Sequence, residues 1–168
     1  MHPGLLPPSA DRGSSRGQRH LRLIPGGARA GLTPVGIAAG RPIVRAGLRA
    51  LLEQDRGVTV VGEAATTRDA IALARALGRG VVLVDLASGE LDGVTATRSI
   101  VESCDAGVLV VAGSASDGRI APAVWAGASG LVMEGVEPRE LVWAVGAVAE
   151  GGTVLPTGSA GRLVAEYR

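Results

Sequence analysis

The sequence predicts an α/β domain built on a five-stranded, doubly wound parallel sheet with helices on both faces. Two observations carry this prediction. Residues 81–84 form an uninterrupted apolar run that leads into Asp85, and such a run is typical of a central strand covered on both faces. Apolar runs of this kind alternate along the chain with segments of helical periodicity, which indicates parallel strands joined by right-handed crossovers. We therefore expect any ligand site at the carboxyl end of the central strand, around Asp85.

The predicted strands and helices alternate through the body of the chain, and local signals place their ends. The five predicted strands are residues 35–38, 58–61, 81–85, 107–111 and 130–133. The five predicted helices begin at Pro42, Arg68, Val94, Ser116 and Pro138. Thr66 and Asp92 precede the second and third helices and are predicted to cap them. Pro122 lacks a backbone N–H, so we expect a short or kinked fourth helix.

The chain divides into an arm, one domain and a tail. Residues 1–32 are rich in Pro, Gly, Ser and Arg and lack a sustained apolar period, which predicts a disordered basic arm. This arm has a net charge of +4, so the rest of the chain carries −3 of the total of +1. Residues 33–152 are the predicted domain, and residues 153–168 are a predicted linker with a short helix, leading to an output domain outside the chain. The acidic domain argues against direct DNA binding by the domain itself.

Composition excludes several classes of protein. Cys104 is the only cysteine, so no disulfide can form within the chain, and a reducing, cytoplasmic location is expected. We interpret Cys104 as an ordinary half-buried thiol rather than a redox sensor, because no basic neighbour marks it as reactive. No apolar run approaches the length needed to span a membrane, and residues 1–30 lack the apolar core of a signal peptide.

Four segments of the chain have an order and spacing that are typical of one family. They are residues 41–52, residues 60–64, residues 81–85 with Leu91-Asp92-Gly93, and residues 126–130. Together they resemble the receiver domain of bacterial response regulators, of the type found in NarL/LuxR-type transcription regulators, over residues 34–168. The resemblance implies a flavodoxin-like (CheY-like) strand order of 2-1-3-4-5. It also implies a site at the switch point between the first and third strands.

The resemblance implies five site positions, of which the chain keeps one. Asp85 matches the aspartate that accepts the phosphoryl group in this family. The positions of the acidic pair, the hydroxyl residue and the lysine are occupied by Ala39, Gly40, Ala112 and Glu134. No shift of the alignment supplies the lysine, because the chain contains none, and Ser114 lies two residues beyond the hydroxyl position. The pocket is therefore interpreted as degenerate.

These losses predict a pocket that neither binds Mg²⁺ nor becomes phosphorylated. Mg²⁺ takes near-octahedral oxygen ligands, normally including more than one carboxylate, so Asp85 alone is a poor metal site. Glu134 would repel the phosphoryl oxygens that a lysine would attract. We expect Arg41 to reach Asp85 or Glu134 and to form a fixed ion pair there. No cofactor is expected, and Asp85 is interpreted as an unmodified carboxylate.

The leading hypothesis is an atypical, phosphorylation-independent receiver that controls transcription through a DNA-binding domain outside this chain, by dimerisation or by small-molecule sensing. A histidine kinase and a membrane are not expected as partners. The alternatives are a conventional phosphorelay receiver phosphorylated on Asp85, a stand-alone protein-interaction module and a small flavodoxin-like enzyme. Against an enzyme, both histidines lie in the arm, Cys104 is distant from the predicted site, and no glycine-rich phosphate loop follows the first strand. No catalytic residue is therefore predicted.

The two tryptophans predict a surface that joins two copies of the chain. At 3.6 residues per turn, Trp143 lies about 200° around the fifth helix from the inward-facing Leu141, which places the ring on the solvent side. Gly146 lies three residues further along the same face and leaves a shallow notch beside the ring. Trp125 of the fourth helix is assigned to the same homodimer interface, with the alternative that its ring folds over Pro122.

Overall fold

A single sheet organises the computed structural model, which describes residues 21–24, 31–87, 89–156 and 158–166. Its strands are β1 (Leu21–Leu23), β2 (Thr33–Ala38), β3 (Val58–Ala64), β4 (Val81–Asp85), β5 (Gly107–Ala112) and β6 (Gly130–Met133). Its helices are α1 (Pro42–Leu52), α2 (Thr67–Leu77), α3 (Gly93–Ser103), α4 (Ile120–Trp125), α5 (Pro138–Ala149) and α6 (Ser159–Glu166). The strands lie in the order β1-β3-β2-β4-β5-β6.

The five strands from β2 to β6 run parallel and confirm the predicted doubly wound fold. Their order, β3-β2-β4-β5-β6, is the order 2-1-3-4-5 that the family resemblance implies. Every residue of β4 is buried, because its apolar run is covered by helices on both faces.

Helices divide the apolar core into two layers. On one face, α2, α3 and α4 bury Leu73, Ile100 and Ala123 against the sheet. On the other face, α1 and α5 bury Leu52 and Leu141. Within the described residues, none of these helices combines the length and the hydropathy that crossing a membrane requires. The carboxyl ends of the parallel strands remain at one rim, where the site is expected.

Capping side chains start two helices as the sequence predicted. Thr66 Oγ1 accepts a hydrogen bond from the backbone N–H of Asp69 at 3.2 Å. Asp92 Oδ1 accepts a hydrogen bond from the backbone N–H of Thr95 at 3.0 Å. Both bonds satisfy N–H groups that have no acceptor within the first turn of a helix. Asp92 is therefore a helix cap.

Helix α4 begins later than the predicted start at Ser116, which is a correction. The residues before it form turns instead, because the Asp117 carbonyl accepts from the Ile120 N–H at 3.1 Å and the Asp117 carboxylate accepts from the Arg119 N–H at 2.9 Å. Pro122 is the third residue of α4, a position where the N–H has no intrahelical acceptor to lose. The expectation of a short helix is confirmed.

Strand β1 corrects the prediction that the whole arm of residues 1–32 is disordered. It pairs antiparallel with β3, and Leu21 packs against the buried cluster on the α2 face. Three alternating residues are too few to be recognised as a strand in the sequence, and their stabilising partner is the distant open edge of β3. Residues 1–20 and 25–30 of the predicted arm lie outside the described residues.

The predicted linker is tied to the sheet at its start. Val154 forms a single parallel bridge with Gly130. The Leu131 N–H donates to the Val154 carbonyl at 2.8 Å, and the Val154 N–H donates to the Ser129 carbonyl at 3.0 Å. Helix α6 follows, as the predicted short helix, and the division of the chain into arm, domain and linker stays a prediction.

Candidate functional site

Asp85 lies at the centre of the rim formed by the carboxyl ends of the strands. It is the last residue of β4, pairs in register with Val111 of β5, and is 0% exposed. The backbone N–H of Ala87 donates to its Oδ1 atom at 3.1 Å. A buried carboxylate without partners would be strongly destabilising, so the groups that surround Asp85 decide what it can do.

Arg41 supplies the opposing charge from the start of α1. Its backbone is extended, with φ −87° and ψ 118°, as the proline that follows it favours. Its Nη2 atom lies 3.3 Å from Asp85 Oδ1 and 3.2 Å from Oδ2, and its Nε atom lies 3.3 Å from Oδ2. The same Nη2 atom donates to Glu134 Oε1 at 2.6 Å. The prediction that Arg41 contacts Asp85 or Glu134 is confirmed, and the guanidinium binds both carboxylates at once.

The two ion pairs of Arg41 differ in their exposure to solvent. The Arg41 and Glu134 side chains are each 39% exposed, whereas Asp85 is fully buried. Burial lowers the pKa of Arg41, but the hydrogen bond to Glu134 and the charge of Asp85 outweigh this, so the net shift is upward. Water and salt screen the pair with Glu134, whereas the buried charge of Asp85 depends on Arg41.

The other predicted rim positions offer no side-chain oxygen. Ala39, directly after β2, and Ala112, the last residue of β5, are both 0% exposed, and Gly40 has no side chain. Both oxygens of Asp85 face Arg41. This donor set does not fit Mg²⁺, which requires several oxygen ligands in near-octahedral geometry. Among the residues that the structure describes, no three His, Cys, Asp or Glu side chains are grouped to hold a metal ion.

Sequence reasoning missed two contacts near the rim. Arg45 Nη1 donates to the Ala39 carbonyl at 2.6 Å. Arg119 donates through Nε and Nη2 to the Asp117 carboxylate at 2.8 Å each, and these bonds lower the pKa of Asp117. Ala39 and Arg45 are six residues apart, and Asp117 and Arg119 lie in turns rather than in a strand or helix, so hydrophobic periodicity does not predict either contact. The Ser114 hydroxyl pairs with another serine hydroxyl at 2.8 Å.

Both tryptophans lie at the surface of α4 and α5. Trp125 is 55% exposed and Trp143 is 66% exposed. Leu141 of the same helix as Trp143 is fully buried, which confirms the orientation that helical spacing predicted. A Cβ added at Gly146 would lie more than 4 Å from any atom beyond its chain neighbours and the nearby backbone of α5, so the notch beside the ring is open. The use of this surface as a subunit interface stays a prediction.

The thiol of Cys104 follows α3 and is half-buried, as predicted. It packs against the apolar cluster on the α2 face and lies 3.6 Å from the Ser103 hydroxyl. The site at the rim does not include it.

Known proteins match the chain over most of the domain. A family model described as the response regulator receiver domain matches residues 35–146. Response regulator UvrY of Escherichia coli (strain K12) is 36% identical over 110 residues, 65% of this chain and 50% of UvrY. Transcriptional regulatory protein LiaR of Bacillus subtilis (strain 168) is 31% identical over 127 residues, 75% of this chain and 60% of LiaR. The DNA-binding transcriptional activator DevR/DosR of Mycobacterium tuberculosis is 32% identical over 127 residues, 75% of this chain and 58% of that protein. The chain thus spans half to three fifths of these relatives.

Solved structures share the same arrangement of strands and helices. A LuxR-family two-component response regulator from Aurantimonas sp. SI85-9A1 has a TM-score of 0.71 at 31% identity, covering 81% of this chain and 98% of that one. The signal receiver domain of the putative response regulator NarL from Mycobacterium tuberculosis has a TM-score of 0.66 at 26% identity, covering 71% and 98%. Because the family model spans more than half of the chain and solved receivers share its sheet, this chain belongs to the response regulator receiver domain family.

Proposed function

We propose that this receiver domain acts without phosphorylation, as a dimerisation module that controls transcription through a DNA-binding domain outside this chain. One observation carries the proposal: the Arg41 guanidinium binds both oxygens of Asp85 and also Glu134. The regulatory setting is supported by relatives that are named response regulators and transcriptional regulators. The proposed role is binding rather than catalysis, and it requires neither Mg²⁺ nor a histidine kinase.

The chemistry of phosphoryl transfer supports this view of Asp85. An aspartate that accepts a phosphoryl group needs an accessible oxygen, and cations must neutralise the incoming phosphoryl oxygens. Arg41 is a cation at this position, but two carboxylates already share it. Glu134 adds a negative charge where the family resemblance implies a lysine. Ala39 and Gly40 bring no ligand for a metal ion that would offset these charges.

The cluster formed by Arg41, Asp85 and Glu134 connects three parts of the domain. Arg41 precedes α1, Asp85 ends β4, and Glu134 directly follows β6. A single guanidinium therefore holds the start of one helix against the ends of two strands. We infer that this cluster fixes the rim in one arrangement, and that the signal reaches the domain by another surface.

Dimerisation is favoured over small-molecule sensing by the distribution of exposed apolar surface. A ligand at the rim would have to displace Arg41 from Asp85, which would remove the cation that Arg41 places beside a buried carboxylate. Trp143 and Trp125 instead expose large rings whose burial by a partner would be favourable, and such rings are common at the centres of interfaces. The exposed face of α4 and α5 is therefore the proposed surface for a second copy.

The decisive experiment is incubation of the chain with Mg²⁺ and acetyl phosphate, followed by intact mass spectrometry. We expect no phosphoryl adduct on the wild type, and we expect Asp85→Asn to leave the oligomeric state unchanged. A variant that restores the four residue types of the family, Ala39→Glu, Gly40→Asp, Ala112→Thr and Glu134→Lys, serves as the positive control.

In that control, Arg41 is released from Glu134 and oxygen ligands return, so phosphorylation that depends on Asp85 is expected. A stable acyl phosphate on Asp85 of the wild type would contradict the proposal and support a conventional phosphorelay receiver. An adduct that survives Asp85→Asn would instead indicate modification elsewhere, and the proposal would stand.

A further inference from the structure

The outer edge of β3 is occupied by a strand from the amino-terminal arm of the same chain. The paired residues are Leu21 with Ala64, Arg22 with Glu63, and Leu23 with Gly62. The backbone N–H of Ile24 extends the pairing by donating to the Val61 carbonyl at 2.8 Å. Such strand addition supplies affinity through the backbone and selectivity through the alternating side chains.

The edge of β3 is shaped for this segment. A Cβ atom at Gly62 would lie 2.8 Å from the Arg22 carbonyl oxygen and 2.6 Å from a Leu73 methyl carbon, so a larger residue would disturb the edge. Leu21 packs against the buried cluster on the α2 face of the sheet, and Ile24 packs against the cluster on the α1 face. The added strand is therefore held on both faces.

Charge also favours the arm at this position. Arg22 lies opposite Glu63 in the register, so its positive charge is placed near a carboxylate on the facing strand, without a direct ion pair between the two described side chains. Glu63 is itself held by Arg49, whose Nε atom donates to Oε1 at 2.9 Å. Over the whole chain, the arm of residues 1–32 carries +4 and the rest carries −3. An arm is thus attracted to any copy of the domain, including one that belongs to another chain.

We propose that the β3 edge is a strand-acceptor site that also takes residues 21–24 of a second copy, so that two chains exchange arms. Each β3 keeps an antiparallel partner, and the contacts of the exchanged dimer are those already seen within one chain. Exchange of an identical element is a low-cost route to a dimer for this reason. The five parallel strands β2 to β6 form the family's complete sheet without the arm, so the domain keeps its core while the arm is released.

The connection between β1 and β2 is long enough that its length does not restrict the arm to its own domain. Eight residues separate Ile24 from Thr33 in the sequence. Fully extended, eight residues reach about 27 Å. β1 and β2 flank β3, so they lie two strand spacings apart, which is about 10 Å. The connection is therefore longer than pairing within one chain requires.

A second copy has a less favourable alternative at this side of the sheet. In this alternative, the β1 strands of two copies pair antiparallel along their outer edges. With full overlap of the three residues, Arg22 of one copy faces Arg22 of the other. Like charges that face each other across a strand pair are destabilising, and a charged residue on an edge strand is a common device against such pairing. Exchange avoids this contact, because each Arg22 then faces a Glu63.

A test uses two single-cysteine variants of the full chain, Leu21→Cys and Ala64→Cys, each also carrying Cys104→Ser. The two positions face each other in the register, at a separation that a disulfide can bridge. The variants, distinguished by isotopic mass, are unfolded together, refolded at high concentration and oxidised. We expect a disulfide-linked heterodimer, with a yield at least tenfold above that of Leu21→Cys mixed with Val101→Cys. Val101 is exposed on α3, away from the β3 edge, so the yield of this control mixture measures disulfides that form by random collision.

The double variant Leu21→Cys/Ala64→Cys distinguishes the remaining outcomes. In one outcome, the double variant forms its disulfide within one chain while the mixture gives no more heterodimer than the Val101 control. In that case the arm pairs only with its own domain, and the proposal is wrong. If the double variant forms no intrachain disulfide, the pairing of β1 with β3 is itself absent, which also overturns the proposal. Should Ala64→Cys fail to fold, the facing pair Arg22→Cys and Glu63→Cys provides the same comparison.

Repeating the mixture in the Trp143→Glu background separates this proposal from the proposed function. Arm exchange predicts that the heterodimer persists there, whereas its loss would assign the cross-link to association through the tryptophan surface and overturn the exchange.

Discussion

The rim around Asp85 and the surface of α4 and α5 differ in how their side chains are covered. Contacts within the chain pair the charges at the rim, whereas the rings on the helices remain largely in solvent. At the rim, a buried carboxylate, a guanidinium and a second carboxylate bind one another within 3.3 Å. On the α4 and α5 surface, Trp125 and Trp143 present more than half of their area to solvent. A partner at the rim must break existing ion pairs, whereas a partner at the tryptophan surface removes apolar area from water. This difference is the reason for which we propose a structural role for the rim and an association role for the two helices.

The largest expected effect comes from breaking the rim. Arg41→Met removes the cation that pairs with the buried Asp85 carboxylate, so the free energy of unfolding should fall by about 3 kcal/mol. Arg45→Met in α1 is the matched control, because among the described residues Arg45 donates to a neutral carbonyl rather than to a carboxylate, and its loss should cost about 1 kcal/mol. Urea denaturation at pH 7 measures both values.

The background Asp85→Asn sharpens this test. Without the buried charge, Arg41→Met should cost less than about 1 kcal/mol, and the difference between the two backgrounds is the coupling of the pair. Equal costs of Arg41→Met in both backgrounds would show that the Asp85 pair does not stabilise the rim, and the contrast with the tryptophan surface would lose its basis.

The second effect concerns the tryptophan surface. Trp143→Glu places a charge where an apolar ring would be buried, and we expect the dimer to weaken by about 2 kcal/mol, which is more than tenfold in dissociation constant. Sedimentation equilibrium measures this change. Ile43→Glu is the matched control, because Ile43 is 81% exposed on α1 and should not affect association. A dimer that resists Trp143→Glu and dissociates with Ile43→Glu would move the interface to α1.

The smallest effect comes from the negative charge of Asp92, the cap at the start of α3. Asp92 has a pKa below its ordinary value of 3.8, chiefly because the Thr95 backbone N–H donates to its carboxylate. A group with a lowered pKa in the folded state stabilises the fold above its unfolded pKa, and this contribution is lost as the pH falls through the folded pKa. Asp92→Asn keeps the cap but removes the charge, so at pH 7 it should cost only about 0.5 kcal/mol.

That difference between wild type and Asp92→Asn should disappear as the pH falls below 3.8. Thermal unfolding between neutral and acidic pH measures it, with Glu102→Gln at the other end of α3 as the control for removing a charge from the same helix. A difference that persists unchanged in acid would show that the cap acts through geometry alone.

The sequence by itself determined the parallel sheet, the burial of β4 and the position of Asp85 at its end. These features follow from local signals, because an uninterrupted apolar run can be satisfied only by cover on both faces, and the alternation of strands with helices leaves few topologies. It also determined the outward orientation of Trp143, since helical spacing fixes which face Leu141 occupies. The reach of Arg41 was predicted, but the choice between Asp85 and Glu134 was left open.

Only the tertiary structure decided that Arg41 binds both carboxylates, because this depends on bringing together the ends of β4 and β6 with the start of α1. The addition of β1 to the sheet was equally beyond the sequence. Leu21–Leu23 has no strand signal of its own, and its stability comes from the β3 edge about forty residues away. The bridge at Val154 has the same origin. Periodicity records which face of an element is buried, whereas pairing at an edge or a rim depends on backbone groups and charges that only folding brings together.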